Sequence, residues 1–370
     1  MKITQTEIWT VVVPTIPGTV HSEIYGPVGW ERIPLQIIRV HTDEGIYGIG
    51  ETGWGTSVET VQDFARRIEG KDPLKLCLQQ IPRDLSTEPS KVERDWESVG
   101  EGGYTEAYEA FETAIFDIVG KALGLPVHAL LGGAFRNRVK VDYWIGHQTP
   151  EDSARNARIA KERGFRGLKM KCTIDESIIE RILAIKDVVG SDFKITVDPN
   201  QRFYRPSEAI ALSKELEKIG TVAALEDPLP KWNLDWYKQI REASSIPIAL
   251  HLGGSFHGII NAIKAEAVDY MNLGGCLVRF VKNATIADAA GILCWHGSGN
   301  QLGVIETAFV HAASVARNCV LPSDLVGSWT REDDLIVDGL VFENGETPVP
   351  MKPGLGCELD MDAIEKYRIA

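Results

Sequence analysis

Seven ionisable residues stand where short apolar runs end, from residue 169 onward. They are Lys169, Lys171, Asp198, Glu226, His251, Asp269 and His296. From Lys171, neighbouring members of the series are separated by 27, 28, 25, 18 and 27 residues. Such intervals match one strand, one helix and two loops, so the pattern predicts an ionisable group at the end of each successive strand. Each residue alone also suits a turn, a helix cap or a solvated surface, and it is the regular series that favours a shared site.

The first members of the series suit metal-assisted proton transfer. Asp198 and Glu226 offer carboxylate oxygens on adjacent predicted strands, and with Asn200 nearby they suggest a site for a hard cation such as Mg²⁺. Lys169 and Lys171 point to the same side of one strand. Two ammonium groups held close together repel each other, which favours loss of one proton and would leave one lysine as a base near pH 7.

Asp269 and His296 provide a second predicted base on the other side of the cation. A carboxylate beside a histidine fixes the tautomer of the imidazole and makes it a competent base. Two bases around a divalent cation suit removal of the proton α to a carboxylate, because the metal stabilises the enediolate that forms. Such a site can either racemise the α-carbon or expel a β-hydroxyl as water.

The elements that must position these residues follow a regular rhythm. From about residue 138, seven short apolar runs alternate with amphipathic segments such as 151–163, 176–189, 206–219 and 233–244. Alternating strands and helices predict a parallel sheet, and seven units in about 180 residues favour a (β/α) barrel over a doubly wound sheet. No GxGxxG follows the first strand, which weakens a dinucleotide-binding alternative. Residues 1–60 read as antiparallel strands with a hairpin at Asp43-Glu44-Gly45, and 58–70 and 104–123 read as helices.

Composition narrows the class of protein. The 370 residues carry a formal charge of −13 and 44% hydrophobic residues. An acidic chain without clustered Lys and Arg argues against a nucleic-acid or anionic-membrane partner. We find no signal peptide and no apolar stretch long enough to span a membrane. Six scattered cysteines without a CxxC pair suggest reduced thiols in the cytoplasm.

These segments together resemble the enolase superfamily, and within it the mandelate racemase subgroup. The resemblance rests on "AFETAIFDIVGKALGLPVHALLGG", "LKMKC", "VDPN", "LEDP", "DYMNLGG" and "CWHGSG", and it covers nearly the whole chain. It implies an α+β capping domain (1–125), a modified (β/α)₇β TIM-like barrel (126–330) and a C-terminal segment that returns to the capping domain (331–370). It also implies a homo-oligomer, either a dimer or an octamer.

The resemblance further implies that two capping-domain loops close the site. They would span roughly 14–32, with His21, Tyr25 and Trp30, and 50–57, with Trp54. We expect His21, Tyr25 and Trp54 to contact the substrate. In the loop "GSGNQLG" after the seventh strand, Ser298, Asn300 and Gln301 would be neutral hydrogen-bonding groups for the hydroxyls of a polyol.

One departure from the family pattern concerns the metal. The family's third ligand is an acidic residue after the fifth strand, but "PIALHLGG" has His251 and Leu252 at the two positions available. His251 could act as a neutral ligand, and this would favour Mn²⁺ or Zn²⁺ more than a third carboxylate does. The other interpretation is a crippled metal site.

The sequence thus leads to an ordered set of expectations. The leading one is a metal-dependent carbon–oxygen lyase that dehydrates a hydroxylated carboxylate of the sugar-acid class, with Lys171 and His296 as acid–base groups and Asp269 orienting His296. The alternative is a racemase or epimerase of an α-substituted carboxylate that uses the same two bases. A third reading, suggested by Leu252, is a metal-deficient homologue without catalytic activity.

Overall fold

The computed structural model describes residues 1–26, 29, 31–78, 106–253, 256–299 and 301–369. In these ranges the strands are β1 (Ile3–Val11), β2 (Leu35–Thr42), β3 (Tyr47–Glu51), β4 (Arg138–Ile145), β5 (Gly167–Lys171), β6 (Lys194–Asp198), β7 (Val222–Glu226), β8 (Ile248–Leu252), β9 (Tyr270–Leu273), β10 (Leu293–His296), β11 (Ser323–Asp324), β12 (Ile336–Val337), β13 (Glu346–Pro348) and β14 (Glu358–Leu359). The α-helices are α1 (Val58–Ile68), α2 (Glu106–Leu123), α3 (Val127–Leu130), α4 (Pro150–Glu162), α5 (Ile178–Val189), α6 (Pro206–Ile219), α7 (Leu234–Ala243), α8 (Phe256–Lys264), α9 (Leu277–Ala289), α10 (Gly303–Val315), α11 (Gly327–Thr330) and α12 (Met361–Tyr367).

The N-terminal part is an antiparallel sheet in the order β1-β2-β3, covered by α1 and α2. The predicted hairpin joins β2 to β3, and Gly45 adopts the positive φ that its turn requires. α2 packs so closely on β3 that a Cβ at Gly48 would lie 2.0 Å from the Ala114 carbonyl oxygen. Glycine is therefore needed at this position to let the helix reach the sheet.

The second part is the predicted barrel. Strands β4 to β10 run parallel in chain order, each followed by a helix from α4 to α10, and β11 pairs in parallel with β4. A bridge between Cys294 and Cys319 brings the segment before β11 beside β10. The expected α/β class with a (β/α)₇β barrel is confirmed. The carboxyl ends of the strands, where enzymes of this fold carry their active sites, therefore meet at one face.

The pairing register fixes which side chains enter the barrel. Lys171 lies opposite Asp198, His251 opposite Asn272, and Asn272 opposite Trp295. Because side chains alternate between the two faces of a strand, the residues next to these, including His296, point into the surrounding helix layer. The side chains that point into the barrel are polar near the carboxyl ends of β5 to β9.

The C-terminal segment crosses back to the N-terminal sheet. β13 pairs with β4, and after α12 the chain bridges Val11 and Arg368 in antiparallel fashion. The Val12 amide donates to the Tyr367 carbonyl at 2.9 Å. Among the helices of the described ranges, none combines the length and apolar character needed to cross a membrane.

Candidate active site

Four predicted residues meet at the carboxyl ends of β5, β6 and β7. The Lys169 ammonium lies 3.1 Å from an Asp198 oxygen and 2.7 Å from Glu226, and the Lys171 ammonium pairs with Asp198. Asp198 and Glu226 are fully buried, and the side chain of Lys169 is only 4% exposed. The prediction that these strands bring two lysines and two carboxylates together therefore matches the structure.

Two further members of this cluster were missed from the sequence. Asp324 of β11 accepts a hydrogen bond from Lys169 at 2.8 Å, and Asn272 of β9 donates to Glu226 at 2.8 Å. Both are buried. Asn272 does not end an apolar run, and Asp324 lies on a strand of only two residues. Neither residue therefore shows the pattern of a polar side chain at the end of an apolar strand.

The electrostatics of the cluster keep its central lysine charged. Burial alone would lower the pKa of Lys169, but Asp324, Glu226 and Asp198 outweigh it and hold that pKa well above its ordinary value. For Asp198, burial is outweighed by Lys171 and then Lys169, which hold its pKa below the ordinary value. Lys169 is therefore a fixed cation, and Lys171, with a single carboxylate partner and a 12% exposed side chain, faces the cavity.

His251 lies on the same wall of the site. Its Nδ1 is 3.8 Å from an oxygen of Glu226. Burial, and then the neighbouring cations Lys169, Lys231 and Lys171, hold its pKa well below the ordinary value, so the imidazole is neutral. A neutral imidazole beside a carboxylate is a possible metal-ligand pair.

The donor set nevertheless does not fit a three-ligand metal centre. The space where Asp198 and Glu226 converge holds the ammonium of Lys169, within 3.1 Å of both carboxylates. The described residues contain no group of three or more His, Cys, Asp or Glu side chains that could hold a metal ion. A divalent cation would have to displace a lysine that forms three buried ion pairs, so we derive no chemical step through a metal.

The predicted pairing of His296 with Asp269 is wrong. His296 is fully buried outside the barrel wall, stacked between Phe280 and Phe309 at centroid distances of 4.2 and 4.1 Å. Its Nδ1 bonds to the Gly297 carbonyl at 2.7 Å, and burial lowers its pKa to about 3. The inward residue of β10 is its neighbour Trp295, which is why His296 does not reach the site.

Asp269 lies at the opposite end of the barrel. It precedes β9, and its carboxylate accepts hydrogen bonds from the Arg241 side chain at 2.7 Å and the Ile248 amide at 2.9 Å. The amino ends of the strands usually serve stability. Asp269 therefore joins a helix to the barrel, and the proposed dyad has neither its base nor its orienting group in the site.

A cavity of about 420 Å³ opens above the cluster. Its walls include four residues expected to contact the substrate or the cation: Trp54, Asn200, Ser298 and Gln301. Lys169, Lys171, His251 and two residues that sequence reasoning missed, Glu109 and Trp144, complete its polar and aromatic lining. The cavity thus combines a cationic end with neutral hydrogen-bonding groups, two indole rings and the carboxyl group of Glu109.

This architecture has a clear counterpart among known proteins. Residues 152–363 match the family model described as enolase C-terminal domain-like, and residues 28–132 match the mandelate racemase / muconate lactonizing enzyme N-terminal domain. The chain belongs to the enolase superfamily, in its mandelate racemase subgroup. Members of this superfamily typically use a divalent metal.

Relatives of this enolase superfamily member include several enzymes. It is 28% identical to an N-succinyl-L-Arg/Lys racemase of Bacillus cereus, over 100% of this chain and 98% of the relative. It is also 28% identical to a D-galactonate dehydratase of Xanthomonas oryzae pv. oryzae, over 89% of this chain and 90% of the relative. The crystal structure of an N-succinyl Arg/Lys racemase from Bacillus cereus superimposes with a TM-score of 0.85 at 26% identity, covering 100% and 99% of the two chains. These relatives include both an isomerase and a lyase.

The two loops near the cavity are held by one buried carboxylate. Glu51, at the end of β3, accepts from the amides of Leu302 and Ile305 at 2.6 and 3.2 Å. Burial raises the pKa of Glu51 to about 7. These two bonds hold the end of β3, which precedes Trp54 in the chain, against the start of α10, which follows Gln301.

The remaining expected contacts lie elsewhere. His21 forms a bridge with His147 and lies 3.5 Å from Glu31, and Tyr25 is 50% exposed. Neither lines the cavity. Asn300 and Trp30 lie outside the described residues.

Proposed function

We propose that this chain is a hydro-lyase that removes water from a hydroxylated carboxylate of the sugar-acid class. The observation that supports it is the division of the cavity. Two lysines occupy one end, and neutral groups able to bind hydroxyls, Asn200, Ser298 and Gln301, share the walls. The cationic end suits a carboxylate, and the neutral groups, together with the Glu109 carboxyl group on the same walls, suit the hydroxyls of a polyol chain.

Lys169 and Lys171 then have different tasks. Lys169, held as a cation, stabilises the charge that develops on the substrate carboxylate. Lys171, once it has passed its own proton to solvent, takes the α-proton, and the bond to the β-hydroxyl breaks. The ammonium formed on Lys171 returns its proton to the departing hydroxyl, which leaves as water, and the enol product tautomerises to a 2-keto acid. A single base on one face is sufficient for this syn elimination.

The test is formation of 2-keto acids from a panel of sugar acids. A positioned base contributes about 10²- to 10⁴-fold, so we expect Lys171→Met to lower turnover by that factor. Lys218→Met is the matched control, because Lys218 is 69% exposed on α6 and forms a surface ion pair with Glu215. Full turnover in Lys171→Met would refute the assignment of the base.

The same assay tests the metal. Mg²⁺ or Mn²⁺ would be held by Asp198, Glu226 and His251, at the expense of the Lys169 ion pairs. Turnover that survives chelation would show that the lysines suffice, and turnover restored only by Mg²⁺ or Mn²⁺ would establish the metal. Absence of turnover with either ion would support a homologue without catalytic activity.

Racemisation or epimerisation is the second candidate, and the full-length likeness to a racemase favours it. Lys171 would again remove the α-proton, and water in the cavity would deliver a proton to the opposite face of the α-carbon. Exchange of the α-hydrogen in D₂O without release of water, on a substrate that gains the opposite configuration, would support this reaction over dehydration. The dimer or octamer remains a proposal that light scattering can test.

A further inference from the structure

The barrel holds a second and larger cavity at its other end. It measures about 570 Å³ and lies at the amino ends of the strands. Bulky branched side chains usually fill the interior of such barrels. Here the inward positions of β6 and β7 carry Thr196 and Ala224, which leave the space open.

The mouth of this cavity is basic. Lys140, Arg166 and Lys194, at the amino ends of adjacent strands, are exposed, and none forms an ion pair within the described ranges. The acidic residue at the mouth, Glu346, is paired with Arg138 at 3.3 Å. Three cations in one patch of a chain with a net charge of −13 create a local field that attracts anions.

The walls are apolar and aromatic. Tyr270, Trp295 and Leu321 line them, and Trp295 is only 4% exposed. At the inner end lie Asp142, Asp324 and Lys169. Burial, and then Asp324, raise the pKa of Asp142 to about 8, so at neutral pH the carboxyl carries a proton and adds no charge that would repel an anion.

Lys169 lines both cavities. Its ammonium pairs with Asp324 at 2.8 Å and Glu226 at 2.7 Å. A molecule that touches this group from the amino end therefore contacts the floor of the candidate active site. One buried ion-pair cluster therefore lies between the two cavities.

We propose that the amino end of the barrel is a second ligand site, which binds a small organic anion with an aromatic or apolar body, and that its occupancy is transmitted to the candidate active site through Lys169. The anionic group binds at Lys140, Arg166 and Lys194, and the apolar body packs on Trp295 and Tyr270. Binding at this site does not depend on which reaction the chain catalyses.

The experiment is calorimetric titration of the full chain with 2-naphthoate. We expect one site, and at least fivefold weaker binding in the double variant Arg166→Gln/Lys194→Gln, because two charged contacts are lost. The exposed Lys218→Gln serves as a charge control and should bind as the unaltered chain does. Ala224→Leu fills the cavity and should abolish binding, and Ala224→Val is a smaller change should the leucine variant fail to fold.

Three results would refute the proposed site. They are no binding at millimolar 2-naphthoate, an affinity in the Ala224 and Arg166→Gln/Lys194→Gln variants equal to that of the unaltered chain, or loss of binding in Lys171→Met, which would place the ligand in the candidate active site. Transmission has its own readout, the amide hydrogen exchange of residues 194–200, which carry Asp198. Slower exchange with 2-naphthoate supports the coupling. Unchanged exchange with intact binding refutes the coupling and keeps the site.

Discussion

Replacing Lys169 with Met tests whether this lysine is the cation that makes the buried cluster stable. The side chains have similar length, so the substitution removes the charge and leaves most of the packing. Asp198, Glu226 and Asp324 would then lose an ammonium that lies within 3.1 Å of all three. Lys171 would remain beside Asp198 alone.

The expected cost follows from what the carboxyls must do. Burial, and then Asp198, already hold the pKa of Glu226 well above its ordinary value, and Lys169 opposes this rise. Without the cation, Glu226 keeps a proton in the folded chain to higher pH, whereas the unfolded chain releases it. Each pH unit above the ordinary value near 4 costs about 1.4 kcal/mol, so the loss is at most about 4 kcal/mol at pH 7 and at most about 1.4 kcal/mol at pH 5, because part of this proton uptake already occurs in the unaltered chain. The first figure agrees with the roughly 3–5 kcal/mol found when one partner of a buried ion pair is removed. In the unaltered chain, the raised pKa of Lys169 gives stability that is present throughout this range and declines only above about pH 10.

The assay is urea unfolding of Lys169→Met and the unaltered chain at pH 5 and pH 7, with reversibility checked by refolding. Lys218→Met provides the exposed control and should change the free energy of unfolding by less than about 0.5 kcal/mol. A loss of equal size at both pH values would show that packing, and not charge, is what Lys169 supplies. It would also remove the reason to regard Lys169 as a built-in cation.

Four further substitutions test individual assignments. His296→Asn should lower stability by about 1–3 kcal/mol in urea unfolding and leave turnover unchanged, because His296 points away from the cavity. Asp269→Asn should likewise spare turnover and cost about 1 kcal/mol; a loss of turnover in either variant would restore the dyad. Glu51 binds a proton on folding, so the unaltered chain should lose stability as pH rises from about 4 to 7, and Glu51→Gln should flatten that slope by about 3–4 kcal/mol when unfolding is measured across the range. Gly48→Ala should cost about 3 kcal/mol or more in the same assay, since its Cβ would meet the Ala114 carbonyl; a fully stable variant would contradict this packing.

Sequence periodicity was sufficient to predict most of the helices. The predicted helices at 58–70, 151–163, 206–219 and 233–244 correspond to α1, α4, α6 and α7, with bounds that agree within two residues. Capping explains part of this agreement. Ser57 and Thr149 accept from the third-residue amides at the starts of α1 and α4, and Gly220 ends α6 in the left-handed conformation.

The face of a strand was harder to predict. Where two polar residues lie two positions apart, as in Lys169 and Lys171, alternation alone assigns both to the interior. Residues 294–296 of β10 are all buried, so both faces of this stretch are covered and its sequence shows no visible period. A single polar residue at the end of such a stretch does not indicate which face of the strand it lies on. His296 was therefore predicted to point into the barrel, although it points outward.

The same physics explains why the charged cluster could be predicted only in part. A pair such as Lys169 and Asp198 is detectable from two adjacent strands, but Asp324 lies more than 150 residues from Lys169 and reaches it only because the barrel closes. Closure of the barrel places its first strand, β4, beside its last strand, β11, and so brings Asp324 of β11 to the barrel interior near β5. Since Lys169 contacts carboxylates from β6, β7 and β11, its ammonium links β11 to two strands with which β11 does not pair. Another cation can take the place of this ammonium only when all three of its ion pairs open. The pH dependence of the stability of Lys169→Met, more than its activity, therefore measures how strongly the carboxylates at the centre of the barrel require a cation.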